Sequence, residues 1–253
     1  MPAAEIISIG TELLLGEILD TNSPAIARAL REIGVDVYRT STVGDNQLRI
    51  TRLLQESIQR AEIVITTGGL GPTVDDTTRE ALAQAFQREA RFHDDLWKEI
   101  VARFRRFDAE PTENNRSQAF LPEGAVALPN PRGTAPGVYL ALERAAVFAM
   151  PGVPDEMELM LNQEVIPRIK EQFQIQSTIL TRVIHTKGIG ESRIDTLLED
   201  LEKLSNPTVG LAAKQGHVLV RLTAKAKNPA AADELLDPLE AEIRQRLGEW
   251  IQK

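Results

Sequence analysis

The sequence predicts an α/β fold: a mostly parallel sheet in three layers, with a small α+β second domain. Three observations carry this expectation. Short apolar runs at residues 6–9, 35–39 and 63–65 alternate with segments of helical periodicity, as in parallel strands joined by right-handed crossovers. The first and third runs lead into glycine-containing loops, as expected at the carboxyl ends of central strands. After Gln174 the order changes to strand, helix, strand, strand, helix, which divides the chain into a domain over 1–173 and a small βαββα domain over 174–253.

Taken in order, the 6–9 strand is followed by Ser23 as helix N-cap with Pro24 at the first helical position. Ile26, Leu30 and Ile33 then recur at helical spacing, up to Gly34 at the C-terminal glycine position. A strand over 35–39 and a helix over about 47–60, with Ile50, Leu53, Leu54 and Ile58 on one face, lead to the 63–65 strand. Leu96, Ile100, Phe104 and Phe107 mark a further helix. Residues 125–128, 138–142 and 145–150 read as shorter strands, and a long helix over 155–173 is expected to bend at Pro167. In the second domain the strands fall at 178–185, 209–212 and 218–224, and the helices at 191–204 and 230–250.

Composition narrows the function. The chain has 253 residues, 42% hydrophobic and 26% charged, with a net charge of -8. It has no cysteine, which removes disulfides, thiolate metal sites and cysteine nucleophiles and fits a cytoplasmic protein. It has none of the roughly 18-residue apolar stretches that a membrane span needs, and no secretory leader is read at its start. The acidic balance argues against a nucleic-acid backbone as the main partner. It suits a small phosphorylated metabolite met by backbone amides or metal ions.

The chemistry gathers at the strand ends. TTGGLGPTVDDTTRE (66–80) puts Thr67, Gly68, Gly69, Leu70 and Gly71 after a buried strand, and Asp75 and Asp76 at the following helix. Glycines let backbone amides approach a phosphate, and a helix start adds partial positive charge. The spacing is neither that of a P-loop nor that of a dinucleotide fingerprint. Thr77 and Glu80 have capping-box spacing, which leaves Asp75 and Asp76 free of that duty, and a bound divalent cation explains them. GTELLLGEILDTN (10–22) follows the first strand and supplies Glu12, Asp20, Thr21 and Asn22, with Ser23 as cap leaving Asp20 and Asn22 available. VGDN (43–46) follows the second and supplies Asp45; either Asp45 or Asn46 suits the cap of the next helix. NPRGTAPG (130–137), with Gly133 and Thr134, and MPGVPDEM (150–157), with Pro151 and Gly152, read as phosphate or ribose contacts. TKGIGES (186–192) reads first as a strand-to-helix turn, with Lys187 and Arg193 as candidate anion contacts. The three histidines have no zinc-site spacing.

These stretches, with NNRSQAFLPEGA (114–125), resemble the N-terminal half of the CinA family over most of residues 5–173, and the unit that GIGES opens resembles the family's small second domain. The resemblance implies a large domain similar to the molybdopterin-binding fold of the MogA, MoaB and MoeA proteins. It sets Asp45 and Asp76 at functional acidic positions, and Thr67, Gly68, Gly69 and Gly71 in the pterin- and phosphate-binding loop. Where the adenylyltransferases of that group have Thr-Gly after the glycine pair and basic residues before the aspartate, this chain has Leu70 and Thr73-Val74-Asp75. The exchange of positive for negative charge favours a metal-bound pyrophosphate.

The resemblance further implies a metal-dependent pyrophosphatase that converts ADP-ribose to AMP and ribose 5-phosphate, and a similar domain in some FAD synthases adds FAD and related dinucleotides as candidate substrates. A divalent cation (Mg2+, Co2+ or Mn2+) and K+ would assist, and a homodimer is expected. Longer members carry a C-terminal domain that deamidates nicotinamide mononucleotide; this sequence ends at Lys253, ahead of that domain, and the activity is not expected of it. On this reading Asp76, Asp45 and Asp75, with Asp20 or Glu12, gather one or two divalent cations; alternatively one carboxylate serves instead as general base, with Asp76 as the candidate. Asn22, Thr134, Pro151 and Gly152 orient ribose and base, and a partner's small domain would give Lys187 and Arg193 a role. Two alternatives remain: a molybdopterin-binding adenylyltransferase, and a non-catalytic nucleotide-binding or competence-related module.

Overall fold

A computed structural model describes residues 2–106, 108–176, 178–214 and 216–252, so the expected helical position Phe107 lies outside the described residues. The chain divides into two compact units, one of Met1–Leu30 with Val35–Gln174 and one of Arg31–Gly34 with Ile175–Lys253.

The first unit runs β1 (Ala3–Ile9), a short α1 (Thr11–Leu15), α2 (Asn22–Glu32), β2 (Asp36–Val43), α3 (Gln47–Ser57), β3 (Ile63–Thr67) and α4 (Thr78–Ala85). It continues with β4 (Ala90–Phe92), α5 (Asp94–Arg106), a 3-10 segment (Glu113–Ala119), β5 (Phe120–Pro122), β6 (Val126–Leu128), β7 (Gly137–Ala141) and β8 (Ala146–Met150). It ends in α6 (Pro154–Met160), a π turn (Leu161–Val165) and α7 (Ile166–Gln172).

Six strands form one sheet in the order β2-β1-β3-β8-β7-β6. The four from β2 to β8 are parallel, while β7 is antiparallel to β8 and β6 to β7. Every residue of β3 and β8 is buried, which is why these strands read as unbroken apolar runs rather than as alternation. The chain passes from β1 to β2 on one side and then to β3 on the other, so the order reverses at β1. Ser8 pairs with Thr67 and Thr67 with Met150, so the loops after β1, β3 and β8 leave the sheet at one level. A reversal of strand order at the carboxyl edge is where open α/β sheets bind ligands.

Three features differ from the sequence expectation. The helix over 155–173 is two helices joined by a π turn that ends just ahead of Pro167. A proline ring donates no hydrogen bond and crowds the carbonyl four residues back, and a widened turn relieves both. The second strand extends to Val43, and α2 begins at Asn22, so Pro24 lies inside its first turn. The 3-10 segment and the β4–β5 pair have no sequence counterpart, because segments this short carry no periodicity.

The second unit contains β9 (Thr178–Lys187), α8 (Glu191–Glu202), β10 (Thr208–Lys214), β11 (His217–Ala226) and α9 (Pro229–Leu247), closed by a 3-10 turn (Gly248–Trp250). Its antiparallel sheet has the order β10-β11-β9. Ile194, Leu198, Leu236 and Ile243 of the helices pack with Ile184, Val220 and Leu222 of the strands in one core. Asn228 caps α9 by accepting from the Ala231 N–H (2.9 Å), and Pro229 at its first position needs no donor.

Candidate functional site

The glycine loop is fixed by its crossing of the chain near Ile9. Gly68 has φ +107°, and a Cβ there would run into the Ile9 carbonyl oxygen; Gly69 has φ +65°, and a Cβ there would strike the Thr78 hydroxyl. The Gly68 N–H donates to Met150 O (3.0 Å), and Thr78 Oγ1 donates back to Gly68 O (3.0 Å). Beneath the loop, buried Arg79 donates from Nη1 to Leu70 O (2.9 Å) and from Nη2 to Pro136 O (3.2 Å). Among the described residues the N–H groups of Gly69, Leu70 and Gly71 have no protein acceptor, so three donors remain for an anion.

The acidic residues that follow do not do what the spacing suggests. Thr77 takes the N-cap position of α4, but its hydroxyl is buried without a partner and no capping box with Glu80 forms. Asp76 closes a turn instead: its Oδ2 accepts from the Thr73 N–H (2.9 Å) and the Thr73 hydroxyl, and its carboxylate lies against Gly71, where a Cβ would not fit. Asp75 is exposed.

Asp45 Oδ2 accepts from the Thr11 N–H (2.7 Å) and the Asp45 N–H donates to Thr11 Oγ1 (3.1 Å), which ties the β2 loop to the start of α1. Asn46 is the cap of α3, accepting from Arg49 N (3.1 Å). Asp20 is not free. Its Oδ1 accepts from the Ser23 N–H (2.9 Å) and its Oδ2 from Ser8 Oγ (2.7 Å), so Asp20, rather than Ser23, satisfies the first turn of α2. Burial opposes its ionisation, yet the hydrogen bonds from Ser23 and Ser8 outweigh burial and hold its carboxyl below the usual range.

Asn22 Nδ2 donates to Thr67 Oγ1 (2.9 Å) and Gly152 O (2.8 Å), and Thr67 Oγ1 donates to Pro151 O (2.9 Å). These two residues are buried cross-links between the β3 and β8 loops, and Asn22 Oδ1 is left without a partner.

Most of the expected site residues meet in one cleft of about 410 Å³. Gly68, Gly69, Leu70 and Gly71 line it together with Thr134, Pro151 and Gly152, and Glu12, Asp45, Asp75 and Asp76 bring carboxylates. Asp20, Thr21, Asn22 and Thr67 line a smaller hollow of about 120 Å³, which Glu12 and Gly152 also line. Gly133 does not line the cleft; it leaves space for the Glu156 carboxylate, which does. Lys187 and Arg193 belong to the second unit, where Lys187 ends β9 and the Arg193 guanidinium stacks 5.2 Å from the Trp250 ring centre.

Three residues escaped sequence reasoning. Glu156 joins the cleft with its Oε2 accepting from Asn130 Nδ2 (2.7 Å). Asn130 is buried and organises its loop, donating to Ala135 O (2.9 Å) and accepting from Gly133 N (2.9 Å). An asparagine ahead of Pro-Arg-Gly is a turn signal that could have pointed to it. Arg79 had no signal, since nothing in a helix of ordinary composition marks its arginine as buried.

Five carboxylates therefore line the cleft, and among the described residues no Lys or Arg does. No three His, Asp or Glu side chains among the described residues converge on one metal position. Asp45 and Asp76 each bind a backbone N–H through Oδ2, which leaves Oδ1 available. That donor set fits a hydrated divalent cation such as Mg2+, which takes one or two carboxylates and completes its shell with water and phosphate oxygens.

Comparison with known proteins assigns both parts of the chain. Residues 5–171 match the family described as "Probable molybdopterin binding domain". Residues 181–251 match the "Damage-inducible protein CinA KH domain". The chain belongs to the CinA family. Competence-damage inducible proteins of Halothermothrix orenii and Clostridium botulinum (strain Kyoto / Type A2) are 42% and 43% identical to it, each over 98% of this chain. The chain spans about 60% of the length of these curated relatives. A crystal structure of a CinA protein of unknown function from Thermoplasma acidophilum superposes with a TM-score of 0.60 at 29% identity, over 68% of this chain and 97% of that one. The CinA-type chain has, among its described residues, no helix long and apolar enough to cross a membrane.

Proposed function

We propose that the cleft of the first unit hydrolyses a phosphoanhydride, with ADP-ribose as the leading substrate and AMP and ribose 5-phosphate as products. The observation that carries this reading is the meeting of three open backbone N–H groups with five carboxylates in one cleft that, among the described residues, no cationic side chain lines. Five carboxylates oppose an anion that the open amides attract, and a phosphoanhydride bound with a divalent ion meets both groups.

The glycine-loop amides hold a bridging diphosphate and stabilise charge that grows on its oxygens. A divalent ion, when bound, polarises the phosphoryl oxygens and lowers the pKa of a water. Asp76 takes one proton from the attacking water through its free Oδ1, while Thr73 fixes its other oxygen. The water oxygen bonds to one phosphorus, the bridging P–O bond breaks, and the second phosphate leaves as a monoester. Asp45, held by Thr11, keeps a second carboxylate oxygen facing the same space, and Thr134 and Gly152 border the room left for a ribose.

The test is AMP release from ADP-ribose by the purified chain, with and without Mg2+, Mn2+ or Co2+ and with K+ or Na+. Metal-dependent release supports the reading; folded protein with no release under any metal sinks it. A second reading, adenylyl transfer to a pterin phosphate, draws on the family match over residues 5–171. Incubation with ATP and molybdopterin would then yield an adenylated pterin.

A further inference from the structure

Two buried ionisable groups take no part in the proposed hydrolysis: Glu5, which pairs with Arg60, and Arg79. Arg79 in α4 is 4% exposed, and its hydrogen bonds go to two carbonyl oxygens, Leu70 and Pro136, rather than to a carboxylate. Its Nε has no partner among the described residues. Burial pulls its guanidinium down to about 10, against the opposing attraction of Glu80 and Asp76, so the group remains charged at neutral pH. A buried cation held by carbonyls alone is a poor device for stability, because apolar side chains of like volume often serve as well.

Its two acceptors lie on two segments that both contribute to the cleft. Leu70 is in the glycine loop, beside its open N–H groups, and Pro136 directly follows Thr134 and Ala135, which line the cleft. With no Lys or Arg lining the cleft among the described residues, Arg79 is a fixed positive charge directly behind the anion cradle.

We propose that Arg79 is the positioning residue of the phosphate site, bracing the glycine loop against the 130–137 loop and offsetting the cleft's carboxylates from behind. The inference rests on the reading that this cleft binds a phosphoanhydride. The charge acts through the loop, so the ligand never touches the guanidinium. Its planar fork spans two carbonyls that an ammonium cannot span together, while lysine retains the charge.

The experiment measures AMP and ADP binding by calorimetry, without divalent metal, for wild type, Arg79→Met and Arg79→Lys. Arg79→Met is expected to bind AMP about tenfold more weakly and ADP more weakly still, since the missing attraction scales with ligand charge. Arg79→Lys is expected to restore the larger part of both affinities. Equal weakening of AMP and ADP in both variants would mean a loosened fold only and would overturn the proposal. Wild-type binding matched by Arg79→Met would overturn it while leaving the phosphoanhydride reading intact. Wild type that binds neither nucleotide, with or without Mg2+, would overturn that reading and this proposal together.

Discussion

Two glycine loops lead from a strand into a helix in this chain, residues 68–71 before α4 and 188–190 before α8, and they are glycine-rich for different reasons. In the first, a Cβ on Gly68 or Gly69 would collide with the Ile9 carbonyl or the Thr78 hydroxyl. In the second, Gly188 has φ +77° but nothing within 4 Å, and Gly190 has an ordinary φ of -81° with open space around it. Close packing fixes the first loop and leaves its amides facing a cleft; the second is only a turn. Glycine content does not mark a site, whereas what a missing side chain makes room for does.

The largest effect should separate the two loops by activity. Asp76→Asn retains an acceptor for the Thr73 N–H but cannot take a proton, and is expected to cut AMP release by roughly 100-fold or more. Arg193→Ala, beside the second loop, is expected to stay within about twofold, because Arg193 is engaged with Trp250 and a stacked cation of this kind contributes only about 0.5–1 kcal/mol of local stability. Equal losses in the two variants would place the second loop in the chemistry and break the contrast.

Gly68→Ala comes next. A methyl group driven against the Ile9 carbonyl at a left-handed φ should cost about 2–4 kcal/mol, read as a lowered urea midpoint for the first unit. A midpoint within error of wild type would mean that the crossing of the loop over Ile9 is not tight.

A smaller effect concerns Asp20. Its folded carboxyl titrates below the ordinary aspartate range, so its stabilisation is complete above that range and is lost as the pH falls through the folded value. Asp20→Asn should therefore lower stability by about 1 kcal/mol at pH 7 and bring the variant and wild type together on the acid side. A gap that widens on acidification would assign Asp20 some role other than capping α2.

Asp20 also illustrates where the sequence was readable. Alternating apolar runs and helical periods are repeated, redundant signals, and the α/β sheet with its βαββα appendage follows from them. The quoted strand-end loops lie at the carboxyl edge because strand ends and glycines announce themselves. Hydrogen-bond assignments are different. Ser23 and Asp20 both suit a cap, Thr77 and Glu80 have the spacing of a capping box, and composition cannot say which donor a carboxylate meets. Glu156, Asn130 and Arg79 were hidden for the same reason: each acquires its position from a segment at least nine residues away, and a local pattern has no record of that.

The smallest predicted effect lies within the second loop. Gly190 precedes α8 at an extended φ and ψ that alanine adopts freely, so Gly190→Ala should change stability by no more than about 0.5 kcal/mol. Gly188 has equal space but a positive φ, so Gly188→Ala should cost about 1–2 kcal/mol. The difference between these two variants isolates the backbone term, because neither methyl group meets a neighbour. Subtracting that term from the Gly68→Ala cost leaves the part due to collision with Ile9, the quantity that distinguishes a packed site loop from a free turn. If the three costs proved alike, strain in the left-handed region alone would account for Gly68, and the crossing near Ile9 would lose its standing as the feature that holds the cleft open.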